Sequence, residues 1–313
     1  MKLYKEKFDS LLWVKTEPNN HEKKLFQKGQ FYIAKLARIP GIEMIAIGNS
    51  LSMYATHQDS DIDLFIITQP HMLWFVRFFV TLFLWKKSVW RKGKDIRENF
   101  CLSFFISTES MNLSKIAIKD DIYLYYWIYY LKPIYNRNNT YENFLNSNNW
   151  VQIEKTQKKE NLKYVISPVP FFICKFFVSI KKYFRKKFQA VWSRGFLEGG
   201  SFWNLENRAE NRNQNDAGKI ETFGTFSHTS TWDNNIWKLY EDPEINSGRQ
   251  KYIEFYKKIN QIIRFFLLPK TQKNYLKLWS PDGVIISDTM LKFHDQDKRK
   301  LIRDRILENN FDK

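Results

Sequence analysis

Apolar residues in the first half of the chain fall into runs whose lengths predict strands and a helix. Two runs of branched and aromatic residues, 42–47 and 62–67, are short and bounded by polar residues, which is typical of buried strands. The run 99–107 predicts a third strand. The run 71–85 is apolar on nearly every side, and its roughly 14 apolar residues fall short of the ~20 that a membrane-spanning helix needs. It therefore predicts a buried helix.

Apolar residues at helical spacing predict helices around these strands. Asn19 or Asn20 is expected to cap a helix that ends at Leu36. Later elements are expected over 120–131, 141–145, 247–268 and 284–286 (a short strand), and from Asp295 or Asp297 to Leu307. The packed face of the helix over 247–268 is expected to comprise Tyr252, Phe255, Tyr256, Ile259, Ile263 and Phe266.

The order of these elements predicts an α+β fold, in which a small mixed β-sheet has flanking helices and a mainly helical C-terminal region follows. Shifts in composition divide the chain into four segments. A first domain covers 1–148, a basic, aromatic, amphipathic helical segment covers 149–194, and a flexible loop rich in Asn, Gly, Glu and Ser covers 195–235. The helical C-terminal region covers 236–313.

Candidate chemistry lies between the first two predicted strands. The first strand ends at Gly48, which lets the backbone approach a ligand closely, and Ser50 with Ser52 opens a short helix whose free N–H groups can hold anionic oxygens. Asp61 and Asp63 head the second strand and project to the same side, because side chains alternate along a strand. Two such carboxylates repel each other unless a cation lies between them, and Mg²⁺ is the hard ion that prefers these ligands. The pattern predicts a site for phosphate and metal.

This pattern resembles the DNA polymerase β-like nucleotidyltransferase superfamily. The resemblance rests on a glycine and a serine that end one strand, an Asp-x-Asp that heads the next, and the interval of 11 residues from Ser50 to Asp61. It covers about residues 42–107. The matching residues are Gly48, Ser50, Ser60, Asp61 and Asp63.

The resemblance implies a nucleotidyltransferase that moves a nucleoside monophosphate from a nucleoside triphosphate to a hydroxyl acceptor, with Mg²⁺ or Mn²⁺ as cofactor. Asp61 and Asp63 would bind the metal and take part in catalysis. RNA or a small hydroxylated molecule is the favoured acceptor. The implied nucleotide-binding residues are Gly48, Asn49, Ser50 and Ser60, with the β- and γ-phosphates at Gly48 and Ser50.

The third predicted strand departs from the superfamily pattern. Members that catalyse usually carry a third carboxylate there, which binds one metal and takes the proton from the attacking hydroxyl. The run Phe100–Ile106 offers only Ser103 as a polar residue in mid-strand, and serine cannot replace a carboxylate. Glu98, just before the strand, is the candidate third catalytic acid, with Asp95 a turn earlier. Two functions stay open: catalysis with a displaced or substrate-supplied base, or a non-catalytic protein that binds nucleotide or nucleic acid on a degenerate nucleotidyltransferase fold.

Several further features have both a functional and a structural interpretation. Arg77, on the apolar helix, is expected to bind a phosphate of the nucleotide or to form a structural ion pair. His57 either meets the nucleotide or is simply exposed. The basic connector 86–94 either contacts a polyanion or is solvated, and the tyrosine-rich helix 120–131 either stacks on bases or packs on the sheet. The acids and histidine of 293–297 either hold a metal or cap a helix.

The charge balance adds candidate partners. Fifty basic against 33 acidic residues give a net charge of +17, which favours polyanions such as nucleotides, RNA or an anionic membrane surface. On a helix, residues 170–190 would carry a stripe of lysines beside phenylalanines. Such a helix either lies in the headgroup region of an anionic bilayer or packs on the first domain with its basic face in water.

The two cysteines, Cys101 and Cys174, lie within apolar runs. This placement predicts free thiols in a reducing compartment and no disulfide partners. The N-terminus has no apolar stretch typical of a signal peptide. The chain is therefore predicted to be cytoplasmic, with peripheral association at a membrane through residues 170–190 as a further hypothesis.

Overall fold

A computed structural model describes residues 4–91, 96–166, 243–275, 283–294 and 297–308. Within these ranges the helices are α1 (Lys5–Leu12), α2 (Asn20–Leu36), α3 (Asn49–Ser52), α4 (Leu73–Lys86), α5 (Ile122–Tyr130), α6 (Thr140–Ser147), α7 (Lys155–Leu162), α8 (Pro243–Tyr275) and α9 (Arg299–Glu308). The strands are β1 (Ile42–Ile47), β2 (Ile62–Thr68), β3 (Phe100–Ser107), β4 (Lys132–Asn136), β5 (Val284–Ile286) and β6 (Met290–Phe293).

The strands of the described residues form one six-stranded mixed sheet in the order β4-β1-β2-β3-β6-β5. Strands β2 and β3 are parallel, and all other neighbours are antiparallel. The central strands β1 and β2 are almost wholly buried, as their continuous apolar runs predict. With helices flanking the sheet, the predicted α+β class is confirmed.

The C-terminal region continues the same sheet. It contains the long helix α8 and the shorter α9, and its strand β6 pairs with β3 through Phe104↔Lys292 and the next two residue pairs. One compact unit therefore comprises Met1–Pro170 together with Gln250–Lys313. The second unit, Phe171–Arg249, lies almost entirely outside the described residues.

One face of the sheet packs against α1, α5, α6 and α9. Buried apolar side chains from these helices and from the strands form a continuous core, which includes Phe8, Phe65, Phe104, Tyr126, Trp127, Phe144 and Ile302. Nearly all aromatic residues of α5 are buried, and Phe8 of α1 packs against Tyr126 with ring centroids 4.5 Å apart. Packing on the sheet is therefore the observed use of the tyrosine-rich helix.

The opposite face contacts α2 and α4. Gly29 of α2 lies so close to the sheet that an added Cβ would come within 2.9 Å of the Ile47 side chain, and Tyr32 packs on Phe100 with centroids 5.3 Å apart. Helix α8 packs in turn on α4, where the Asn260 Oδ1 accepts a bond of 2.9 Å from the backbone N–H of Phe75. Among the described residues, no helix has a stretch both long and apolar enough to cross a bilayer.

Several predicted boundaries differ from the structure. Asn19 does cap α2, as predicted, and forms a capping box with Glu22. Helix α8 starts earlier and ends later than the predicted 247–268, continuing through Pro269. Phe266, predicted to pack, is 60% exposed. The predicted segment 170–190 and loop 195–235, along with Asp95, Asp295 and Cys174, lie outside the described residues.

Candidate functional site

Asp61 and Asp63 lie at the start of β2, where their side chains meet a third potential ligand, Cys101 of β3. One ligand atom from each of the three side chains lies within 4.8 Å of the others. In the part of the chain that the structure describes, this is the one group of three or more such side chains close enough to hold a metal ion. The prediction that the two carboxylates share a side agrees with this arrangement.

The Asp63 carboxylate is in an unfavourable place for a negative charge. Burial and, next, the neighbouring charge of Asp61 raise the pKa of Asp63 to about 6, even though hydrogen bonds from Asn49 and Cys101 and the charge of Arg91 oppose the rise. The carboxylate is thus held by donors in a site where its charge is only partly compensated. A cation at this position would supply the missing compensation.

The Asp61 carboxylate has a partner of opposite charge. Arg91 Nη1 donates to Asp61 Oδ2 at 2.7 Å and lies 3.8 Å from Cys101 Sγ. Arg91 comes from the basic connector between α4 and β3, which runs beside β3 through a bridge between Trp90 and Phe100. This arginine is exposed, so the ion pair remains accessible to solvent and to ligands.

Cys101 lies directly opposite Asp63 in the β2–β3 register. Burial, together with the charges of Asp63 and Asp61, raises the pKa of the Cys101 thiol far above its ordinary value, so that the thiol stays protonated and donates to Asp63. Glu98, the predicted third acid, is not part of the metal-binding group formed by the described residues. Its backbone is bonded to Ser60 and Lys28 instead.

The turn after β1 supports Asp63 from the other side. Asn49 has a left-handed backbone (φ 52°), and its Oδ1 accepts a bond of 2.8 Å from Trp127 Nε1. This leaves the amide N–H groups of Asn49 for the Asp63 carboxylate. A Cβ at position 48 would lie 3.2 Å from Trp127 Nε1, a tight contact that glycine avoids.

A pocket opens beside Asp63, with an empty volume of about 190 Å³ that includes space open to solvent. It is lined by Gly48, Asn49, Asp63, Leu64, Phe65, Ser103, Phe104, Trp127 and His294. His294 follows β6 directly, and its Nε2 lies 3.1 Å from Ser103 Oγ. The C-terminal region thus contributes a polar side chain to the pocket.

The other predicted site residues have structural partners. Ser60 Oγ accepts from the backbone N–H of His57 at 2.8 Å, which closes the loop before β2. Arg77 is not among the residues that line the pocket. Its guanidinium lies 4.2 Å from the Phe293 ring centroid and donates to the Leu102 carbonyl at 3.3 Å, and burial lowers its pKa to about 10. Ser50 is also absent from the pocket lining, whereas Gly48 and Asn49 are present.

The donor set fits a divalent cation. Asp61 and Asp63 are the oxygen ligands that Mg²⁺ or Mn²⁺ prefers, and the pKa of Asp63, raised to about 6 by burial, indicates an uncompensated charge that a cation would neutralise. Cys101 adds a soft sulfur donor, which Mg²⁺ does not favour. The carboxylate pair would therefore hold the ion, with the thiol at its edge.

The sequence analysis did not assign Arg91, Cys101, Trp127 or His294 to this site, although it weighed other roles for the connector 86–94, the helix 120–131 and the segment 293–297. Cys101 lies within an apolar run, which predicts a free buried thiol and not a partner of Asp63. The remaining three reach the site from separate elements, so no local pattern indicates them.

Comparisons with protein families, with curated proteins and with solved structures find no match.

Proposed function

We propose that this protein is a nucleotidyltransferase that uses Mg²⁺ or Mn²⁺ and moves a nucleoside monophosphate from a nucleoside triphosphate to a hydroxyl acceptor. The observation that carries the proposal is the position of Asp63, which heads β2 beside Asp61 and lines one pocket with the Gly48–Asn49 turn. Carboxylates for a metal and a glycine turn that admits a ligand are the two parts that such a reaction needs.

The chain's own residues orient the reacting groups. Asn49 and Cys101 donate to Asp63 and fix its carboxylate, while Arg91 holds Asp61 and adds a positive charge where a phosphate would approach. A bound Mg²⁺ would neutralise phosphate charge and favour departure of pyrophosphate. Catalysis by positioning and charge neutralisation suits a site with few side chains.

The small size of the pocket favours a binding mode in which most of the nucleotide lies outside it. The enclosed part of the pocket has room for about one water, far less than the roughly 300–1,000 Å³ of typical ligand sites, so a nucleotide would lie at its mouth beside the carboxylates. Base and acceptor would then lie outside the pocket, on the side where Arg91 is exposed beside Asp61. The net charge of +17 favours a polyanionic acceptor such as RNA.

A second candidate function is non-catalytic binding of nucleotide or nucleic acid on the same site. It is favoured by Cys101, a protonated thiol opposite Asp63 at the place where catalytic members of the superfamily that the sequence resembles would need an acid. In this case the carboxylates and Arg91 would hold a nucleotide without turnover.

One experiment separates the two functions. Purified protein is incubated with α-labelled nucleoside triphosphates, Mg²⁺ and cell extract as a source of acceptors, and nucleotide binding is measured in parallel. We expect label transfer by the wild type and none by a variant carrying Asp61→Ala and Asp63→Ala. Binding without transfer to any acceptor would rule out the transferase and support the binding protein.

A matched control removes the same charge elsewhere. Asp59 and Glu17 are exposed, and neither belongs to the metal-binding group. The double variant Asp59→Ala with Glu17→Ala should therefore transfer label like the wild type. Loss of transfer in this control would mean that overall charge, and not the carboxylate pair, is responsible.

We also propose peripheral association with an anionic membrane through residues 170–190, whose lysine stripe and phenylalanines support it. Flotation with anionic and with neutral liposomes tests this for the full chain and for a variant without residues 168–190. Equal recovery of both proteins in the unbound fraction would dismiss the proposal.

A further inference from the structure

Helix α8 has one face fixed in the fold and the opposite face in solvent. Tyr256, Asn260 and Ile263 recur at intervals of four and three residues, so they lie on the same side of the helix. Tyr256 packs on Phe75 of α4 with ring centroids 5.0 Å apart, and Asn260 bonds the backbone of the same residue. Asn260 and Ile263 are each 6% exposed. The packing of α8 on α4 therefore determines which of its side chains point outward.

The outward face of α8 is apolar over its middle. Ile262 is 44% exposed, Phe265 73% and Phe266 60%, and we call these three residues the α8 stripe. They lie on the side of the helix that is opposite to Asn260 and Ile263, because successive residues are about 100° apart. Phe265 and Phe266 contact each other, with ring centroids 5.4 Å apart. Single exposed apolar residues are common on proteins, but several together on one helix face are typical of a binding surface.

Lysines lie on both sides of the α8 stripe along the helix axis. Lys258 precedes Ile262 by about one turn, and Lys270 and Lys273 follow Phe266 within two turns. All three lysines are exposed. The outward face thus combines an apolar centre with a positive charge at each end.

Neighbouring acids do not cancel this charge. Glu254 is ion-paired with Lys257 at 2.9 Å, and Asp288 is ion-paired with Arg264. From residue 255 to residue 275 the sequence contains five basic residues and no acid. The outward face of α8 is therefore complementary to an anionic partner.

The combination of charge and apolar side chains fits an anionic bilayer better than other partners. A second copy of the chain would bring like charges together, and two chains of net charge +17 repel each other. Single-stranded nucleic acid stacks on aromatic rings, but it offers no apolar phase for Ile262. A bilayer surface accepts apolar side chains below its headgroups and attracts lysines to anionic lipids.

We propose that the outward face of α8 binds the surface of an anionic membrane. The α8 stripe enters the headgroup region, the three lysines lie among the anionic headgroups, and the helix axis lies in the plane of the membrane. The inference is independent of the transferase function. It is also independent of residues 170–190, since it rests on a different segment of the chain.

The main test is flotation of the full chain with vesicles made of equal parts of phosphatidylcholine and phosphatidylglycerol. Phe265→Gln with Phe266→Gln should lower the partition constant onto these vesicles by at least about tenfold, because even partial burial of two phenylalanines in an apolar phase contributes that much. Both positions are exposed, so the melting temperature should stay that of the wild type. The matched control is Phe31→Gln with Leu301→Gln, which changes exposed apolar residues of α2 and α9 and should bind like the wild type.

A second variant tests the charge and leaves the apolar residues in place. Lys258→Gln with Lys270→Gln and Lys273→Gln should lower binding to the anionic vesicles by roughly 10²-fold. Binding to vesicles of phosphatidylcholine alone should not change. Added salt should weaken binding of the wild type to the anionic vesicles more than binding of this lysine variant, since screening acts on the charges that the variant lacks.

Several outcomes would overturn the proposal. Equal flotation of the wild type and both variants would do so, as would a wild type that binds neither kind of vesicle. If only deletion of residues 168–190 abolishes binding, that segment binds the membrane and α8 does not. If the phenylalanine variant changes the sedimentation of the protein or its affinity for single-stranded RNA while flotation stays the same, the face binds a second copy or nucleic acid. If it loses thermal stability with unchanged flotation, the α8 stripe packs within the chain.

Discussion

Asp61 and Asp63 are two residues apart and yet differ in their surroundings. Asp61 has an arginine partner at 2.7 Å, whereas Asp63 is held by the neutral donors Asn49 and Cys101. Burial therefore raises the pKa of Asp63 to about 6. Below this pH the protonated form needs no compensation, and above it the folded protein carries a charge that it compensates only in part.

Asp63→Asn should stabilise the metal-free protein at neutral pH. Because the pKa of Asp63 is 3.8 when unfolded and about 6 when folded, the folded state binds more protons between these values. Wild-type stability then falls as pH rises from about 4 to 6, by at most roughly 2–3 kcal/mol. The amide variant lacks this loss. Urea denaturation with EDTA should show a gain at pH 7.5 that vanishes near pH 4.

The exposed residue Asp59 provides the control for this measurement. Asp59→Asn should show no stability difference that depends on pH across the same interval. A gain for Asp63→Asn that is equal at both pH values would contradict the assignment of the charge penalty to Asp63.

Cys101→Asp should create a three-carboxylate site, because the Cys101 ligand atom already lies within 4.8 Å of those of Asp61 and Asp63. A third negative charge should destabilise the metal-free protein by about 1–3 kcal/mol, and Mg²⁺ should then raise the melting temperature more than in the wild type. Thermal melts with and without Mg²⁺ measure both effects. Cys101→Ser, which adds no charge, should show neither the destabilisation nor the larger response to Mg²⁺. If Mg²⁺ raises the melting temperature of Cys101→Asp no more than that of the wild type, a cation does not bind at this position.

At the scale of elements, the N-terminus of α2 anchors the loop that leads to β2. Glu22 is fully buried and accepts bonds from Lys15 Nζ at 2.8 Å, from the backbone N–H of Asn19 and from the backbone N–H and hydroxyl of Thr56. Burial alone would raise the pKa of Glu22, but these bonds outweigh it and lower the pKa below its ordinary value. The loop before Asp61 is thereby tied to the helix.

Glu22→Gln should lower the free energy of unfolding by about 2–3 kcal/mol, because bonds to a charged acceptor are replaced by weaker ones. A lowered folded pKa gives stability that is present above the unfolded value of 4.5 and is lost as pH falls through the folded pKa. The difference from wild type should therefore shrink below about pH 4.5. Urea denaturation at pH 7 and pH 3.5 measures this difference in the free energy of unfolding. Glu17→Gln, at an exposed position, should leave the free energy of unfolding unchanged. A difference between Glu22→Gln and wild type that persists at low pH would contradict this account.

Elements with strong local patterns were predictable from the sequence. The runs of β1 and β2 gave their bounds almost to the residue, and Asn19 gave the start of α2. Strand β4 was missed because it contains Pro133, which argues against a strand, although it lies at the sheet edge where proline is tolerated. Strand β6 was missed because it has four residues and includes a lysine.

The candidate site was only partly predictable for a different reason. Gly48, Asp61 and Asp63 lie within one stretch, so their spacing indicates a site. Arg91 and His294 come to it through pairing between distant strands and connectors, which leaves no periodic pattern in the sequence. The bulge that brings Ser103 to the pocket depends on the register of β2 and β3 and is likewise invisible in one strand alone.

At the scale of the whole molecule, α9 docks on the first half of the chain through Arg299. Its Nη1 donates to Asp121 Oδ2 at 2.9 Å and to the Ile116 carbonyl at 2.8 Å, while the guanidinium also contacts Asp297. Asp121 is 4% exposed and caps α5. The segment that carries β6 and His294 is thus fastened on its C-terminal side.

Arg299→Met should destabilise the protein by about 3–5 kcal/mol, because it leaves the buried Asp121 carboxylate without its charge partner. Limited proteolysis should then release the C-terminal segment sooner than in the wild type. Adding Asp121→Asn should recover part of the loss, since the uncompensated charge is removed. Arg305→Met, at an exposed position of α9, should have the stability and protease resistance of the wild type. If Arg299→Met resists the protease as well as the wild type does, Arg299 does not hold α9 in place.

The pairing of β3 with β6 also has a consequence for the chain during translation. Ser103 and His294 are 191 residues apart, so a ribosome adding about 5–20 residues per second needs roughly 10–40 s between them. For that interval one edge of β3 has no partner strand and is open to mispairing with other nascent chains. A chain still attached to the ribosome therefore carries the two aspartates without the histidine, and a nucleotide that reached them would meet an unfinished pocket.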